Sequence, residues 1–361
     1  MGQPRRMLVL RAVVEDYIRS QEPVGSTTLA QQHHFGVSPA TIRNDMAVLE
    51  SEGYLEQPHT SAGRIPTDRG YRYFVDQLSR LVPLSRAQRT GIATFLSRSV
   101  SLQDALRRAA RLLAAITGQV AVVSSPALAR SRMRHIEIVP LASSIFLAVV
   151  ITDAGSVAQH TFHVHSMPAA DEVNQLSVLI NRQCFGMPLR ESAEHIRSLA
   201  SASQTSQGRV FVDELARTLE SMSADEEAGE ELYMAGTSQL AHRNASADLG
   251  PLFDALEEQV VLIHLMSDMS EEQSEVNVAI GSETHTPGLL KASVVTSGYG
   301  RRAGESRETG ESRMGDMDST PVAFVGSIGP THMDYAATIT AVRAVARYLT
   351  RFVSNQGVDD A

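Results

Sequence analysis

Breakers cut the first 66 residues of this chain into pieces too short for anything but small helices and a hairpin: Pro23 and Gly25, then Gly36, Gly53, and finally Gly63 with Pro66. Ahead of the first break, Leu10, Val13, Val14, Tyr17 and Ile18 fall on one helical face, so a first helix ends at Glu22 to Gly25. Ser26 is placed to cap a second helix that carries Leu29 and runs to about Gln32. Phe35, Gly36 and Val37 then make a turn. Ser38 caps a third helix, with Pro39 at its first position, where a missing N–H costs nothing. In that third helix Ile42, Met46 and Leu49 form the stripe that must be buried, which turns Pro39, Ala40, Arg43, Asn44 and Ala47 outward.

A helix enters the major groove of DNA only if its leading residues let the backbone approach, with Arg or Asn behind them to pair bidentately with guanine or adenine. Ser38, Thr41, Arg43 and Asn44 meet that description. After Gly53, the runs Tyr54 to Gln57 and Arg64 to Pro66 are short extended pieces around a turn-rich tip, Pro58 to Gly63. Three helices and a hairpin predict a winged helix-turn-helix. His59, Thr60, Ser61 and Arg64 on that wing are suited to phosphate contact.

Charge at first argues otherwise, since the chain carries a net −9. Residues 1–80, however, hold nine Arg and nine acidic residues, so the whole excess of negative charge lies behind them. From Gln57 to Arg86 there are five Arg against two Asp. The basic surface is therefore expected to be local. At 361 residues and 43% hydrophobic, the chain has room for two or three globular domains, and no run is long and apolar enough for a membrane helix. A cytoplasmic protein is expected. A single cysteine, Cys184, excludes a disulfide framework and paired-cysteine zinc sites.

The runs PVGS from Pro23, VSPATIRNDMAVLE from Val37 and GYLEQPHTSAGRIPTDRGYRYFVD from Gly53 resemble the HrcA family of bacterial heat-shock repressors. GSIGPTHMDY from Gly326 is similar to that family's closing motif, with His332 where the family pattern has Arg. The chain departs from the pattern again at Ala292, where the family commonly has Cys, and in the longer polar stretch Arg301 to Ser319.

Behind the head, Pro83 to Ser99 reads as a connector, and Leu102, Leu106, Ala109, Leu113 and Ile116 mark a helix stopped by Gly118. Four β-branched runs follow: Val120 to Ser124, Arg134 to Val139, Ile145 to Thr152 and Val157 to Val164, the last two joined by a turn at Asp153, Ala154 and Gly155. Residues 168–269 read as mostly helical, and strands return at Val276 to Gly281, Ala292 to Thr296 and Val322 to Gly326. The expected fold class is α+β: a winged helix at 1–82 and an antiparallel α+β domain at 83–167 and 270–350, split by an insertion at 168–269. Residues 301–319 have no apolar period and read as a flexible loop. The resemblance implies that the split domain is GAF-like and that the insertion dimerises. It further implies a homodimer on an inverted-repeat operator in double-stranded DNA upstream of chaperone operons, released on heat shock, with a chaperonin of the GroE type as partner.

Other chemistries fare worse. His163 and His165 share a strand face, but Cys184 lies too far along the chain for tight ligand spacing, so surface or interface histidines are preferred to a metal site. Gly298 to Gly304 mimics a dinucleotide loop with wrong spacing and no helix behind it. There is no Gly-x-Ser-x-Gly elbow, and Lys291 is the only lysine, so no Gly-Lys phosphate loop exists. Acidic runs such as Asp225 to Glu227 or Glu271-Glu272 read as solvated helix faces. No enzyme and no cofactor are expected. The rival reading is a ligand-sensing metabolic repressor whose C-terminal domain binds a small molecule.

Overall fold

The computed structural model describes residues 2–59, 63–78, 86–96, 99, 101–126, 132–153, 155–165, 169–199, 205–224, 231–243, 249–271, 274–301 and 321–355. The first unit comprises α1 (Gly2–Ser20), α2 (Ser26–Gln32), α3 (Pro39–Ser51), β1 (Leu55–Glu56), β2 (Ile65–Pro66) and α4 (Asp68–Gln77). Apolar stripes of α1, α3 and α4 meet in one core, with Val9, Leu10, Val13, Leu29, Ile42, Leu49, Leu55 and Phe74 all buried. Ser38 caps α3 as expected, its Oγ accepting from Thr41 N at 3.3 Å. Ser26 does not cap α2: it is the first helical residue, buried, and the cap position belongs to Gly25, with no side-chain bond. The chain turns inward there, and core packing outweighs the capping preference of serine.

The wing is a two-stranded antiparallel ribbon with Leu55 opposite Pro66 and Glu56 opposite Ile65. Its base is pinned by a reciprocal pair of backbone bonds between Val24 and Arg64, both 2.9 Å. Gly63 makes that approach possible, because a Cβ there would stand 2.4 Å from the Val24 carbonyl oxygen.

The expected connector contains a helix, α5 (Arg86–Leu96), which buries Ile92 and Leu96. One apolar pair a turn apart is too weak a period to reveal it from sequence. Helix α6 (Leu102–Thr117) ends at Gly118 in the left-handed conformation, φ 70°. Its buried stripe runs through Leu102, Leu106, Ala109 and Leu113 to Thr117, while Ile116, expected inside, is exposed.

A five-stranded antiparallel sheet follows, built from β3 (Val120–Ser124), β7 (Leu232–Ala235), β8 (Asn277–Ile280), β9 (Ala292–Arg301) and β10 (Pro321–Pro330), in the order β7-β3-β10-β9-β8. Both faces are covered. Ala121, Val123, Val295 and Val325 point to α6 and α13 (Tyr335–Asn355) and share a core with the first unit. Val120, Val122, Val294 and Phe324 point to α10 (Thr237–Arg243), α11 (Gly250–Glu257) and α12 (Gln259–Glu271).

Between β3 and β7 sits a second α+β unit with its own core. Strands β4 (Met133–Ala142), β5 (Ile145–Thr152) and β6 (Val157–His163) form a three-stranded antiparallel sheet, backed by α7 (Ala170–Gln183), α8 (Leu189–Leu199) and α9 (Ser206–Ala224). Phe146, Phe162 and Phe211 meet in its centre with ring centroids 5.0–5.6 Å apart. This corrects the expected partition. The strands read as companions of β3 belong to the insertion, whereas β7 and α10 to α12, read as part of a mostly helical insertion, belong to the five-stranded unit. Periodicity identifies a strand but not its neighbour in the sheet. The expected turn at Asp153 to Gly155 joins β5 and β6, although Ala154 lies outside the described residues, as does most of the polar loop at 301–319.

Gly63→Ala should push the wing away from Val24, as overpacking does, at a cost of about 1–3 kcal/mol. Calorimetric melting of the purified variant should show a lowered Tm for the head, and an unchanged Tm would mean that the wing base relaxes freely.

Candidate nucleic-acid interface

Helix α3 shows its two faces in the expected sense. Ile42, Asp45, Met46 and Leu49 are buried, and Ser38, Pro39, Ala40, Arg43, Asn44 and Ala47 are exposed, with Thr41 at the edge. Among the described residues the side chains of Arg43 and Asn44 make no hydrogen bond or ion pair, so both remain available to a base edge. Ser38 is engaged by its own helix, at 3.3 Å from Thr41 N and 3.0 Å from Thr41 Oγ1. It therefore shapes the leading turn, its carbonyl also accepting from Ile42 N at 3.2 Å.

The even charge count of the head resolves into pairs. Asp45 would be hostile to DNA if it faced out, but it is buried on the inner side of α3. Arg5 of α1 forks onto it, with Nε 2.8 Å and Nη2 3.1 Å from the two carboxylate oxygens. The carboxylate in turn pushes the Arg5 guanidinium above its usual range, chiefly through that hydrogen bond. Asp16 is held by His33 at 3.1 Å and Arg19 at 3.5 Å, Glu15 by Arg11 at 2.7 Å, and Glu52 by Arg6 at 3.3 Å. Arg69 lies over the Tyr54 ring, 4.5 Å from its centroid, and donates to the Glu52 carbonyl at 2.7 Å. The acids of α1 and α3 thus meet basic partners inside the head, and the outward stripe of α3 carries cation and amide alone.

Arg64 stands differently from its sequence expectation. It is at the base of the wing, with its guanidinium on Glu50 at 2.8 and 2.9 Å and its side chain 19% exposed, so it braces the wing against the end of α3. His59 is exposed near the wing tip; Thr60 and Ser61 lie outside the described residues. Sequence reasoning did not find the Arg5 fork, because its two ends are 40 residues apart and neither carries a local signal. His160, His163 and His165 point to solvent, while Cys184 is sealed in the insertion core, its thiol pushed up to about 11 chiefly by burial.

Comparison with known proteins agrees with this geometry. Residues 12–67 match the DeoR-like helix-turn-helix domain, and residues 103–339 match the HrcA protein C terminal domain. The heat-inducible transcription repressor HrcA of Bifidobacterium longum (strain DJO10A) is 62% identical over 373 aligned positions, covering 100% of both chains. That of Arthrobacter sp. (strain FB24) is 46% identical over 355, covering 98% of this chain and 99% of its own. A crystal structure of a hypothetical protein superposes with TM-score 0.62 at 22% identity, over 97% of this chain and 98% of that one, a likeness of fold.

Removing the α3 cap should loosen the leading turn of that helix. Ser38→Ala is expected to cost about 1 kcal/mol of head stability. It should also raise the Kd for DNA, measurable by thermal melting and fluorescence anisotropy on one preparation.

Proposed function

The chain belongs to the HrcA family of heat-inducible transcription repressors, and from that premise we propose that it binds, as a homodimer, an inverted-repeat operator upstream of chaperone operons and releases it on heat shock. The observation that carries the reading is the outer stripe of α3, where Arg43 and Asn44 stand free behind a small, capped leading turn. In this reading Ser38, Thr41, Arg43 and Asn44 approach the bases, while His59, Thr60, Ser61 and Arg64 lie along the phosphates. Arg64 must share its charge with Glu50, so its phosphate contact is the weaker for it.

Two further features support the reading. The middle row of the outer face of the three-stranded sheet is apolar: Ile145, Leu147, Val149 and Ile151 of β5 alternate with the inward Phe146, Ala148 and Val150, while Glu137 of β4 and Gln159 and Thr161 of β6 make the margins of that face polar. Val139 and Val157 flank them on the neighbouring strands, exposed at 36% and 53%. A second copy of the chain on that face would remove it from water, which supports dimerisation through the insertion. The antiparallel five-stranded sheet between helical layers supports a GAF-like domain. Among the described residues both faces of that sheet are packed with buried apolar side chains.

Release on heating and a chaperonin partner of the GroE type are what the family resemblance implies, and the long-range pairing of β3 with β10, where Phe324 N donates to Ser124 Oγ across 200 residues, is in keeping with them. Such closures fold slowly and leave apolar surface exposed meanwhile, which is the substrate a chaperonin encloses. The site of action is the cytoplasm; among the described residues no helix is long and apolar enough to cross a membrane.

Arg43→Ala and Asn44→Ala should each cost about 1–3 kcal/mol on the operator and little on random DNA, since a lost bidentate base contact is felt only by the matched sequence. Footprinting and competition titrations on the promoters of the cell's chaperone genes decide this, and equal losses on both DNAs would remove α3 from base reading. Leu147→Asp should give a monomer by sedimentation. It should also lose the tethering gain on the palindrome, about 10²–10⁴-fold, while keeping half-site affinity. A variant that stays dimeric would place the interface elsewhere.

A further inference from the structure

The head does not hang from the rest of the chain by its linker. Helix α4, which follows the wing, is fastened to the turn after β8 by side chains from successive positions of one face. Asp68, at its first residue, accepts from Ser282 N at 3.1 Å and Ser282 Oγ at 3.2 Å. Arg72, one turn on, donates through Nη2 to the Val278 carbonyl at 2.6 Å and through Nε to Glu283 at 2.9 Å, with a second, shorter contact between Nη2 and the same carboxylate. Glu283 also accepts from Ile280 N at 3.0 Å, so the carboxylate that receives the arginine is held by its own turn.

Between these polar clasps the two units share an apolar wall. Tyr71 is buried, with its ring 5.9 Å from that of Tyr335, and Tyr335 is anchored by Ser293 Oγ at 2.7 Å and the Thr331 carbonyl at 2.6 Å. Tyr17 of α1 meets His332 edge-on at 6.4 Å. The fit has no slack, since Gly281 sits at φ 53° and a Cβ there would lie 2.3 Å from Asp68 Oδ2.

We infer that this clasp of Asp68 and Arg72 on residues 278–283 sets the spacing between half-sites that the repressor accepts. The inference rests on the dimeric reading above. If dimerisation through the insertion also holds the two five-stranded units at one separation, and each head is fixed on its own unit, the distance between the two α3 helices has one value rather than a linker's distribution of values. An operator whose half-sites lie at that separation engages both heads without strain, and one displaced by half a helical turn, about five base pairs, engages only one. Asp68 and Arg72 would then be positioning residues for DNA recognition, although they lie on α4 and not on the reading helix.

The test is the full chain carrying Arg72→Gln, Asp68→Cys and Ser282→Cys, compared with wild type on palindromes of graded spacer and on a single half-site. Reduced, this protein lacks the polar bonds of the clasp; oxidised, a disulfide between positions 68 and 282 replaces them, its formation checked by titrating free thiols, and Cys184 is buried in the insertion core. Wild type should prefer one spacer by about 10²-fold or more over one displaced by half a turn. The reduced variant should keep its half-site affinity and fall to less than about a tenfold preference, and oxidation should restore it. Equal spacer preference in the reduced and oxidised states would overturn the inference and leave the dimeric reading standing. A reduced form that also loses half-site affinity would make the clasp part of the head's own stability, which overturns it too. A wild-type protein indifferent to spacer length would overturn both readings.

Discussion

The apolar core that builds the head does not stop at the head. Val9, Leu10, Ile42, Leu49 and Phe74 belong to the same continuous cluster as Leu106, Leu113, Val295, Val325 and Val345, so α1, α3 and α4 share packing with α6, α13 and one face of the five-stranded sheet. Burial of this kind is non-directional and proportional to area, which makes it strong but indifferent to orientation. Direction comes from the polar groups at its margin. The clasp of Asp68 and Arg72 turns the packed interface into a defined one, while the Tyr335 hydroxyl on one side and the Val24–Arg64 bridge on the other fix the units that meet there.

That shared core also forces the electrostatics of the outward face of α3. A helix packed so closely against α1 places Asp45 where water does not reach, and an isolated buried carboxylate is costly. Arg5 meets the need from α1, and the pair removes a negative charge from the vicinity of a groove that carries one charge per phosphate. The same logic at the far end of α3 ties Arg64 to Glu50, which stiffens the wing and withdraws a cation from it. A head with equal numbers of acids and arginines can therefore present a cation and an amide to DNA.

The insertion imposes a kinetic constraint rather than an energetic one. Strands β3 and β10 are central neighbours in the sheet, yet the whole three-stranded unit and its helices lie between them in the chain. The insertion has a separate core and packs largely on itself, so the five-stranded unit must wait for a long loop to close before its centre forms. A repressor with that topology has a slow folding step placed in the domain against which its head is packed.

Local features of the chain were legible because the forces behind them act within about four residues. The Ser38 cap, the Gly118 stop, the buried stripe of α3, the short wing and the limits of β3 and β5 follow from hydrogen-bond geometry and side-chain period. Family motifs supplied the order of the domains. What the residues could not state is which distant partner each group would meet. Ser26 looked like a cap and became core, Arg64 looked like a free cation and met Glu50, and β4 to β6 looked like neighbours of β3 and formed a sheet of their own. Sheet membership, the Arg5–Asp45 fork and the clasp of α4 on residues 278–283 join atoms tens to hundreds of residues apart, where chain connectivity specifies nothing and only the packing of the whole core selects the pair.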